Sequence, residues 1–487
     1  MEPIKEQFYQ RRIAELEKEV AELRQQNSEL RRQNAILTEQ VATLIDQVAK
    51  LTGQVARLSK NSSNSSKPPS SDIVKPPKTN NTGGPRRQGG QPGHKGVARS
   101  LFRSDQIDRI EQLHPAACPC CHDGNLEPTG QVKIHQVAEL RENPLEITEY
   151  RLHGCRCSVC GKIVWARTPV GVVEGQLFGP RLQALVAYMK GSLHASYSGL
   201  AKFCREVLDI DVSRSHVCNT IARVNDALAQ PYEELARHVP TEPVLNIDES
   251  GWKDKGLRYW IWVFSTSLIS FFHIDRSRGS KVLEEVLGKI YNGTIVSDFF
   301  SAYVKYASAL QQFCLAHLIR DVKFLTTLPD DADKQFGEEL LIDFRRLFHF
   351  WHLRDKIPKD RFDRIMFRIK DRVLRLAEVY ACNDERSKSR TLAKRLVKHG
   401  DAIFRFLLDP TVPPTNNAAE RTVRAAVIDR RITQGSRSLT GRQWNARIWT
   451  VMDTCRKQSR SPWRFLQNAL SAHYFQTPTP SLLPQRP

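Results

Sequence analysis

The sequence lacks a long uninterrupted apolar run. Its most apolar stretch, residues 257–274, is broken by Arg258 and by Ser265, Thr266 and Ser267, so a core β-hairpin is a better prediction than a membrane span. The first residues, MEPIKEQFYQRR, contain no apolar segment of the kind that a secretory signal requires. We therefore expect no membrane partner and a cytoplasmic location.

Acidic residues are scarce relative to basic ones. The 487 residues include 73 Lys and Arg against 53 Asp and Glu, a net charge of +20. Such a surplus favours a polyanionic partner, and nucleic acid before a membrane surface. With 40% hydrophobic residues the chain has ordinary globular composition, and its length indicates roughly three domains. The expectation is a multidomain protein that binds nucleic acid.

The first 60 residues carry a heptad pattern. Leucine recurs every seven residues from Leu16 to Leu58, and valine, isoleucine or asparagine stands three residues before each leucine. These preceding residues are Ile13, Val20, Asn27, Asn34, Val41, Val48 and Val55. Leu at d with Val or Ile at a favours a parallel two-stranded coiled coil, and Asn at a fixes its register. The pattern predicts a coiled coil over residues 1–60 that forms a homodimer or a higher assembly.

Residues 61–105 are rich in Ser, Asn, Pro and Gly, which predicts a flexible basic linker. Its second half is expected to follow DNA phosphates through Arg86, Arg87 and Lys95. For the Ser-rich first half, a merely solubilising linker remains an equal alternative.

Eleven cysteines in a chain without a signal peptide indicate a reducing compartment, so paired cysteines are interpreted as metal ligands. Two C-x-x-C knuckles, Cys118 with Cys121 and Cys157 with Cys160, match a closed structural Zn²⁺ site. Alternation at Ile147, Glu149 and Arg151 suggests strands between them, which predicts a zinc-ribbon-like domain over residues 106–175. The neighbouring groups that could replace a ligand are Cys120, Cys155, His114 and His122.

Residues 176–240 carry helical patterns, over 181–191, 197–208 and 213–228, and Ser213 is a good N-cap for the last of them. A helix, a short turn and a capped helix that begins with Arg214 are typical of a helix-turn-helix, whose second helix would enter the major groove. A helical hairpin that does not contact DNA is the alternative.

Three carboxylates follow the order of a ribonuclease-H-like α/β domain. Asp248 ends a short apolar strand over 244–248, and Asp298 ends a second strand after an aromatic hairpin and a helix near 280–287. After Tyr303 the pattern is mainly helical, and Glu420 lies early in a helix. Carboxylates from two strands and a helix can converge on two Mg²⁺ ions. The rival carboxylates are Glu249 above all, then Asp321 and Asp429. The arginines of the Glu420 helix that are expected to contact DNA are Arg421, Arg424, Arg430 and Arg431.

Several uncommon motifs stand in one order: NSSNSSKPPSSD, GGQPGHKG, the two knuckles, NIDESGW, VSDFFSAY, QQFCLAHLIRD and TNNAAERTVR. In this the chain resembles the transposases of insertion-sequence family sixty-six (IS66), the TnpC-like branch of the DDE transposases. The resemblance implies that Asp248, Asp298 and Glu420 are the metal-binding DDE triad. It also implies a catalytic domain over 241–470, with a helical insertion over about 323–409 and a tail over 471–487. Cys314 and His317 lie in the family's C-x-A-H-L element, where a structural or substrate-contacting role is implied.

The function that the resemblance implies is DNA transposition, in the bacterial cytoplasm and in association with the nucleoid. The protein would bind the terminal inverted repeats of its element and target DNA, and would cleave and join strands with Mg²⁺ or Mn²⁺, with accessory proteins of the same element as further partners. Two other functions fit parts of the pattern: a non-catalytic zipper and zinc DNA-binding regulator, and a metal-dependent nuclease that does not join strands. A recombinase with a Tyr or Ser nucleophile is a weaker rival, since no nucleophile constellation is recognisable.

Overall fold

The structure is a computed structural model, and it describes residues 2–60, 100–116, 119, 120, 122, 126, 129–142, 144–306, 309–382 and 387–484. The described residues form two compact units. The larger unit takes those within Met1–Pro76, Gly171–Leu200 and Ser213–Pro487, and the smaller takes those within Pro77–Val170 and Ala201–Val212. The prediction of a mixed α+β protein is confirmed. Across the described part of the chain, no helix has the length and apolar character needed to cross a membrane.

The heptad segment is one helix. Helix α1 spans Glu2–Leu58, 57 residues, with no break at either asparagine of the a positions. Leucines of the repeat, among them Leu30, Leu37 and Leu44, are more than half exposed on the single chain. The helix therefore presents an apolar stripe that none of the described residues covers at these positions.

The smaller unit contains a short antiparallel hairpin. Strands β1 (Gly154–Arg156) and β2 (Ile163–Trp165) pair through Cys155 and Val164 and flank the second cysteine knuckle. The prediction of strands around Ile147 and Arg151 is wrong, because the described residues there form no strand. Alternation gives a strand only where a neighbouring strand can pair with its backbone groups, and this segment has no such neighbour among the described residues.

Four helices lie between the hairpin and the sheet, and the bounds of the first three follow the sequence pattern closely. They are α2 (Pro180–Ser192), α3 (Tyr197–Val207), α4 (Arg214–Ala227) and α5 (Ala229–His238). The predicted cap is present, since Ser213 Oγ accepts a hydrogen bond from the His216 amide at 3.1 Å. Helix α4 packs against α2 and against helices from the C-terminal end of the chain. The helices of 176–240 in the larger unit thus share its core.

The larger unit is built on a five-stranded sheet in the order β5-β4-β3-β6-β7. Its strands are β3 (Val244–Asp254), β4 (Leu257–Ser265), β5 (Ser270–Asp275), β6 (Thr294–Ser297) and β7 (Leu310–Phe313). Strands β3, β4 and β5 form an antiparallel meander, whereas β6 runs parallel to β3 and β7 parallel to β6. The apolar stretch of 257–274 is the predicted hairpin, buried in the core.

Two strand predictions need correction. Strand β3 does not end at Asp248 but continues to Asp254, because a two-residue turn at Lys255 and Gly256, both with positive φ, pairs it with β4. Strand β7 lies in the segment after Tyr303, for which the sequence pattern predicts mainly helix. Its LQQF sequence is polar, and the buried Gln312 is accepted there because its side chain bonds the Ile403 carbonyl and the Phe406 amide.

The remaining helices surround the sheet. They are α6 (Lys281–Leu287), α7 (Ser301–Lys305), α8 (Leu315–Leu325), α9 (Asp331–His352), α10 (Lys359–Ala381), α11 (Lys388–Lys398), α12 (Gly400–Ile403), α13 (Asn417–Thr433), α14 (Leu439–Lys457) and α15 (Pro462–Phe475). Helices α8 to α12 pack around one apolar cluster, which includes Phe336, Phe344 and Val373 and reaches Phe313 of β7. The stretch expected to be inserted before Glu420 is thus helical and joined to the sheet by shared core packing.

Helix α14 packs along β5, one of the two edge strands of the sheet. The amides of Ser270 and Phe272 on β5 donate to Thr454 Oγ1 and Thr450 Oγ1, both at 3.0 Å. Outward-facing backbone donors of an edge strand are open to pairing with another chain, and these two are satisfied instead by one helix. The last helix runs to Phe475, beyond the expected domain end at 470, and Leu482 is fully buried after it.

Candidate active site

Asp248 lies where the parallel part of the sheet ends. Strand β3 pairs with β6 only as far as Asn246, two residues before Asp248, and beyond that point it pairs with β4 alone. The carboxylate accepts a hydrogen bond from the Glu249 amide at 3.0 Å. Burial, and then the nearby Glu249, Asp298 and Glu420, raise the pKa of Asp248 well above its ordinary value.

Asp298 follows β6 directly, as the sequence predicts. Its Oδ1 accepts a hydrogen bond from the Phe300 amide at 2.9 Å, which fixes the carboxylate at the end of the strand. Burial and the charges of Glu249 and Glu420 raise its pKa to about 6, although Arg278 and the Phe300 amide act in the opposite direction. Two neighbouring parallel strands thus bring Asp248 and Asp298 to the same edge.

Glu420 comes from the first turn of α13, and a buried asparagine holds that turn against β3. Asn416 Nδ2 donates to the Ile247 carbonyl at 2.7 Å, and its Oδ1 accepts from Asn246 Nδ2 at 3.0 Å. The Asn416 amide also donates to Cys314 Sγ at 3.1 Å. We call Asn416 with these partners the Asn416 clamp. It joins the start of α13 to the strand that carries Asp248.

The Glu420 carboxylate lies beside two residues of α8. His317 Nδ1 is 3.4 Å and Arg320 Nη2 is 3.6 Å from Glu420 Oε1. Among the described residues, neither Glu420 Oε1 nor His317 Nδ1 has a hydrogen-bond partner, although both atoms are buried. Burial raises the pKa of Glu420, against the opposing effects of Arg320 and Arg424, and burial with the charge of Arg320 lowers the pKa of His317 to about 4.

The three carboxylates therefore form one electrostatic group. Asp298 and Glu420 raise the pKa of Asp248, and Glu420 raises the pKa of Asp298, so the protein supplies less positive charge than their full ionisation needs. Carboxylate oxygens are hard donors that suit Mg²⁺ or Mn²⁺. Because Glu420 Oε1 also lacks a hydrogen-bond partner among the described residues, this donor set fits a divalent cation.

A second set of donors shares Glu420. The ligand atoms of Cys314, His317 and Glu420 lie within 4.8 Å of one another. Cys314 is fully buried, its sulfur accepts the Asn416 amide, and burial raises the pKa of its thiol. A protonated, hydrogen-bonded thiol is a structural group, so the oxygen donors make the better cation site.

The rival carboxylates are each engaged by a partner. Glu249 accepts two hydrogen bonds from Arg278, at 2.8 and 3.0 Å, and one from Tyr303 Oη at 2.5 Å. Asp321 accepts from Arg395 Nη2 at 2.6 Å, and Asp429 lies 3.3 Å from His194 Nδ1. Each of these three carboxylates therefore interacts with a basic side chain of the protein.

The arginines expected to contact DNA divide into three groups. Arg421 and Arg424 are exposed on α13 near Glu420, and Arg214 and Arg431 are exposed elsewhere. Arg430 is half-buried and bonds the Gly251 carbonyl and Ser250 Oγ, so it ties α13 to β3. The linker residues Arg86, Arg87 and Lys95 lie outside the described residues.

Only one knuckle of the expected zinc site falls within the described residues, since Cys118 and Cys121 lie outside them. The Cys157 amide donates to the Lys162 carbonyl at 2.8 Å, and the Gly161 amide donates to the Cys157 carbonyl at 3.0 Å. Hydrogen bonds from the Cys160 and Val159 amides lower the pKa of Cys157. A tight turn whose amides stabilise a thiolate suits half of a zinc site.

Sequence reasoning missed the residues that position the carboxylates. In the sequence, Asn416 stands only within the TNNAAERTVR motif, and no local pattern marks Arg278 or Tyr303 as functional. Arg320 follows His317 by three residues on one helical pattern, which was an available signal. The Asn416 clamp joins residues 170 positions apart, and no local pattern announces it.

Comparison with known proteins gives two family matches. A family model described as "Transposase IS66 family" matches residues 175–443, and a model of a family of unknown function (DUF6444) matches residues 3–100. The first match covers more than half of the 487 residues and contains all three clustered carboxylates.

Similar curated proteins occur in Sinorhizobium fredii (strain NBRC 101917 / NGR234). "Uncharacterized protein y4hP" is 23% identical over 411 residues, which are 75% of this chain and 72% of that protein. "Uncharacterized protein y4qI" is 23% identical over 350 residues, 63% of this chain and 62% of that protein. Their names assign no activity.

Proposed function

The chain belongs to the IS66 family of transposases, and from this premise we propose that it cleaves and joins DNA strands at the ends of an insertion sequence. The observation that carries the proposal is the position of Asp248 and Asp298 just past the parallel pairing of the adjacent strands β3 and β6, close enough to Glu420 for its charge to raise the pKa of both. A buried carboxylate oxygen of Glu420 has no hydrogen-bond partner among the described residues. The terminal inverted repeats of the element and a target duplex would be the DNA partners.

We assign the sheet and its flanking helices to the ribonuclease-H-like class. An antiparallel meander of three strands followed by two parallel strands supports this assignment, as does the delivery of two carboxylates from the adjacent strands β3 and β6. The helices of about 323–409 would then be an insertion before the helix that carries Glu420.

Asp248, Asp298 and Glu420 are the proposed ligands of Mg²⁺ or Mn²⁺. When bound, such an ion activates a water or a 3′-hydroxyl for attack on a phosphodiester and stabilises the leaving oxygen. The protein's own part is to hold three ionised oxygen donors at fixed positions. The backbone amides of Glu249 and Phe300 donate hydrogen bonds that fix Asp248 and Asp298. The Asn416 clamp fixes the helix turn that carries Glu420.

Nearby side chains have supporting roles. Arg320 balances part of the charge of Glu420, and neutral His317 adds no second positive charge beside it. Arg421 and Arg424, exposed near Glu420, are placed to bind phosphates of the DNA strand. Glu249, neutralised by Arg278, contributes packing and not metal binding.

Two further features complete the proposal. The exposed heptad stripe of α1 supports self-association as a homodimer or larger assembly through a parallel coiled coil. The Cys157 and Cys160 knuckle supports one structural Zn²⁺ per chain, completed by Cys118 and Cys121.

A strand-transfer assay with pre-cut element ends and a supercoiled target, with and without Mg²⁺, tests the function. A transposase yields joined products only when Mg²⁺ is present. Cleavage without joining would indicate a metal-dependent nuclease. Binding of the ends without either reaction would indicate a regulator.

A further inference from the structure

A cavity of about 470 Å³ lies in the larger unit, away from the clustered carboxylates. It is lined by the end of α2, the first turns of α3, α4 and α14, and the last turn of α13. Of the residues that line it, only Arg214 is among those expected above to contact DNA.

The first turns of three helices line the cavity, and each begins at a serine cap. Gly199, His216 and Gly441 donate their amides to Ser196, Ser213 and Ser438, at 2.9, 3.1 and 3.0 Å. Each cap therefore satisfies a single amide and leaves the earlier amides of that helix available. Helix starts carry partial positive charge and favour anions.

The C-terminal end of α13 also reaches the cavity, and two carbonyls near that end are engaged. The Arg430 carbonyl accepts from the Gln434 amide at 2.9 Å, and the Asp429 carbonyl accepts from Thr433 Oγ1 at 2.9 Å. These hydrogen bonds offset part of the negative charge at the C-terminal end of α13.

The side chains add net positive charge. Lys190, Arg214 and Arg437 line the cavity together with one acid, Asp429. Asp429 is buried, lies 3.3 Å from His194 Nδ1, and is balanced by Lys190. Among the described residues, Arg214 and Arg437 have neither an ion pair nor a side-chain hydrogen bond, so two guanidinium groups remain for a ligand.

We propose that this cavity binds a phosphate group of the DNA backbone, through Arg214, Arg437 and the amides of the helix starts. The proposal rests on the proposed function, because it names a further site for the same DNA. Arginine pairs with phosphate through two parallel hydrogen bonds, and the cavity presents two arginines to one opening.

Helix α13 sets the separation between this site and the carboxylates. Glu420 and Asp429 are nine residues apart, or about 13 Å along the helix at 1.5 Å per residue. The cavity would thus hold a phosphate other than the reacting one.

The test measures binding of a fluorescein-labelled 30-base-pair duplex by anisotropy, without divalent metal, from 50 to 300 mM NaCl. We expect Arg214→Gln with Arg437→Gln to bind roughly tenfold more weakly at 100 mM NaCl. The slope of log K against log salt should fall by about 0.9, the value for one phosphate contact. Arg345→Gln with Arg368→Gln is the control with the same charge change on exposed positions of α9 and α10, and Arg214→Lys with Arg437→Lys should retain most of the affinity.

Each result decides the question. Unchanged affinity and slope in the Gln pair, or an equal loss in the control pair, would overturn the cavity site and leave the transposase proposal intact. Absence of duplex binding by the full chain would instead overturn DNA binding itself. A thermal stabilisation by inorganic phosphate that is lost in the Gln pair, with duplex affinity unchanged, would overturn the DNA assignment.

Discussion

The Asn416 clamp makes a prediction for both stability and activity. Asn416→Ala removes the bond to the Ile247 carbonyl and the bond from Asn246, and leaves the amide group of the buried Asn246 without that partner. A net loss near 1 kcal/mol per hydrogen bond, plus the cost of an unpaired buried group, gives about 3 kcal/mol. Because the clamp positions Glu420, we also expect strand cleavage to slow by about a hundredfold.

Urea unfolding followed by tryptophan fluorescence measures the first effect, since Trp252, Trp262 and Trp449 are buried in the larger unit. Asn417→Ala is the matched control. Asn417 is the next residue and is exposed, so its replacement should change the free energy of unfolding by less than about 0.5 kcal/mol. The reasoning is refuted if Asn416→Ala is as stable and as active as Asn417→Ala.

Three other predictions concern separate features. Deletion of residues 2–58 should turn a dimer into a monomer in sedimentation at low micromolar concentration, and a dimer that persists would remove α1 as the main contact. Native protein should contain one Zn²⁺ per chain by metal analysis, and Cys157→Ser should release it; metal-free native protein would contradict the zinc site. Without divalent cations, the raised pKa of Asp298, about 6, means that stability falls as pH rises from 4 to 6, by at most about 3 kcal/mol. In urea unfolding, Asp298→Asn should abolish that part of the fall in the free energy of unfolding. If the variant shows the same pH dependence as the native protein, the pKa of Asp298 is not raised.

Local signals in the sequence predicted much of the fold. The heptads gave α1, Ser213 marked the start of α4, and the apolar run before Asp298 is β6. The position of Glu420 in the first turn of α13 was likewise predicted. Each of these depends on neighbours within one or two turns or on one short strand.

The features that were missed depend on distant partners. Strand β3 extends past Asp248 because β4 pairs with it, and β7 tolerates Gln312 because Ile403 and Phe406 satisfy its amide. The Asn416 clamp likewise needs a strand 170 residues earlier in the chain. Such contacts leave no periodic pattern in the sequence. The carboxylates could therefore be predicted from the sequence, but the residues that position them could not.

The central claim is that Asp248, Asp298 and Glu420 act together in DNA cleavage and joining. Single-turnover strand transfer from pre-cut ends with Mg²⁺ tests it in Asp248→Asn, Asp298→Asn and Glu420→Gln, with the exposed Asp401→Asn on α12 as control. Loss of even an outer partner of a metal ligand costs 10–100-fold, so each of the three should lose at least about a hundredfold. They should keep duplex binding, and the control should keep full activity. Strand transfer that survives in all three amide variants would contradict the claim.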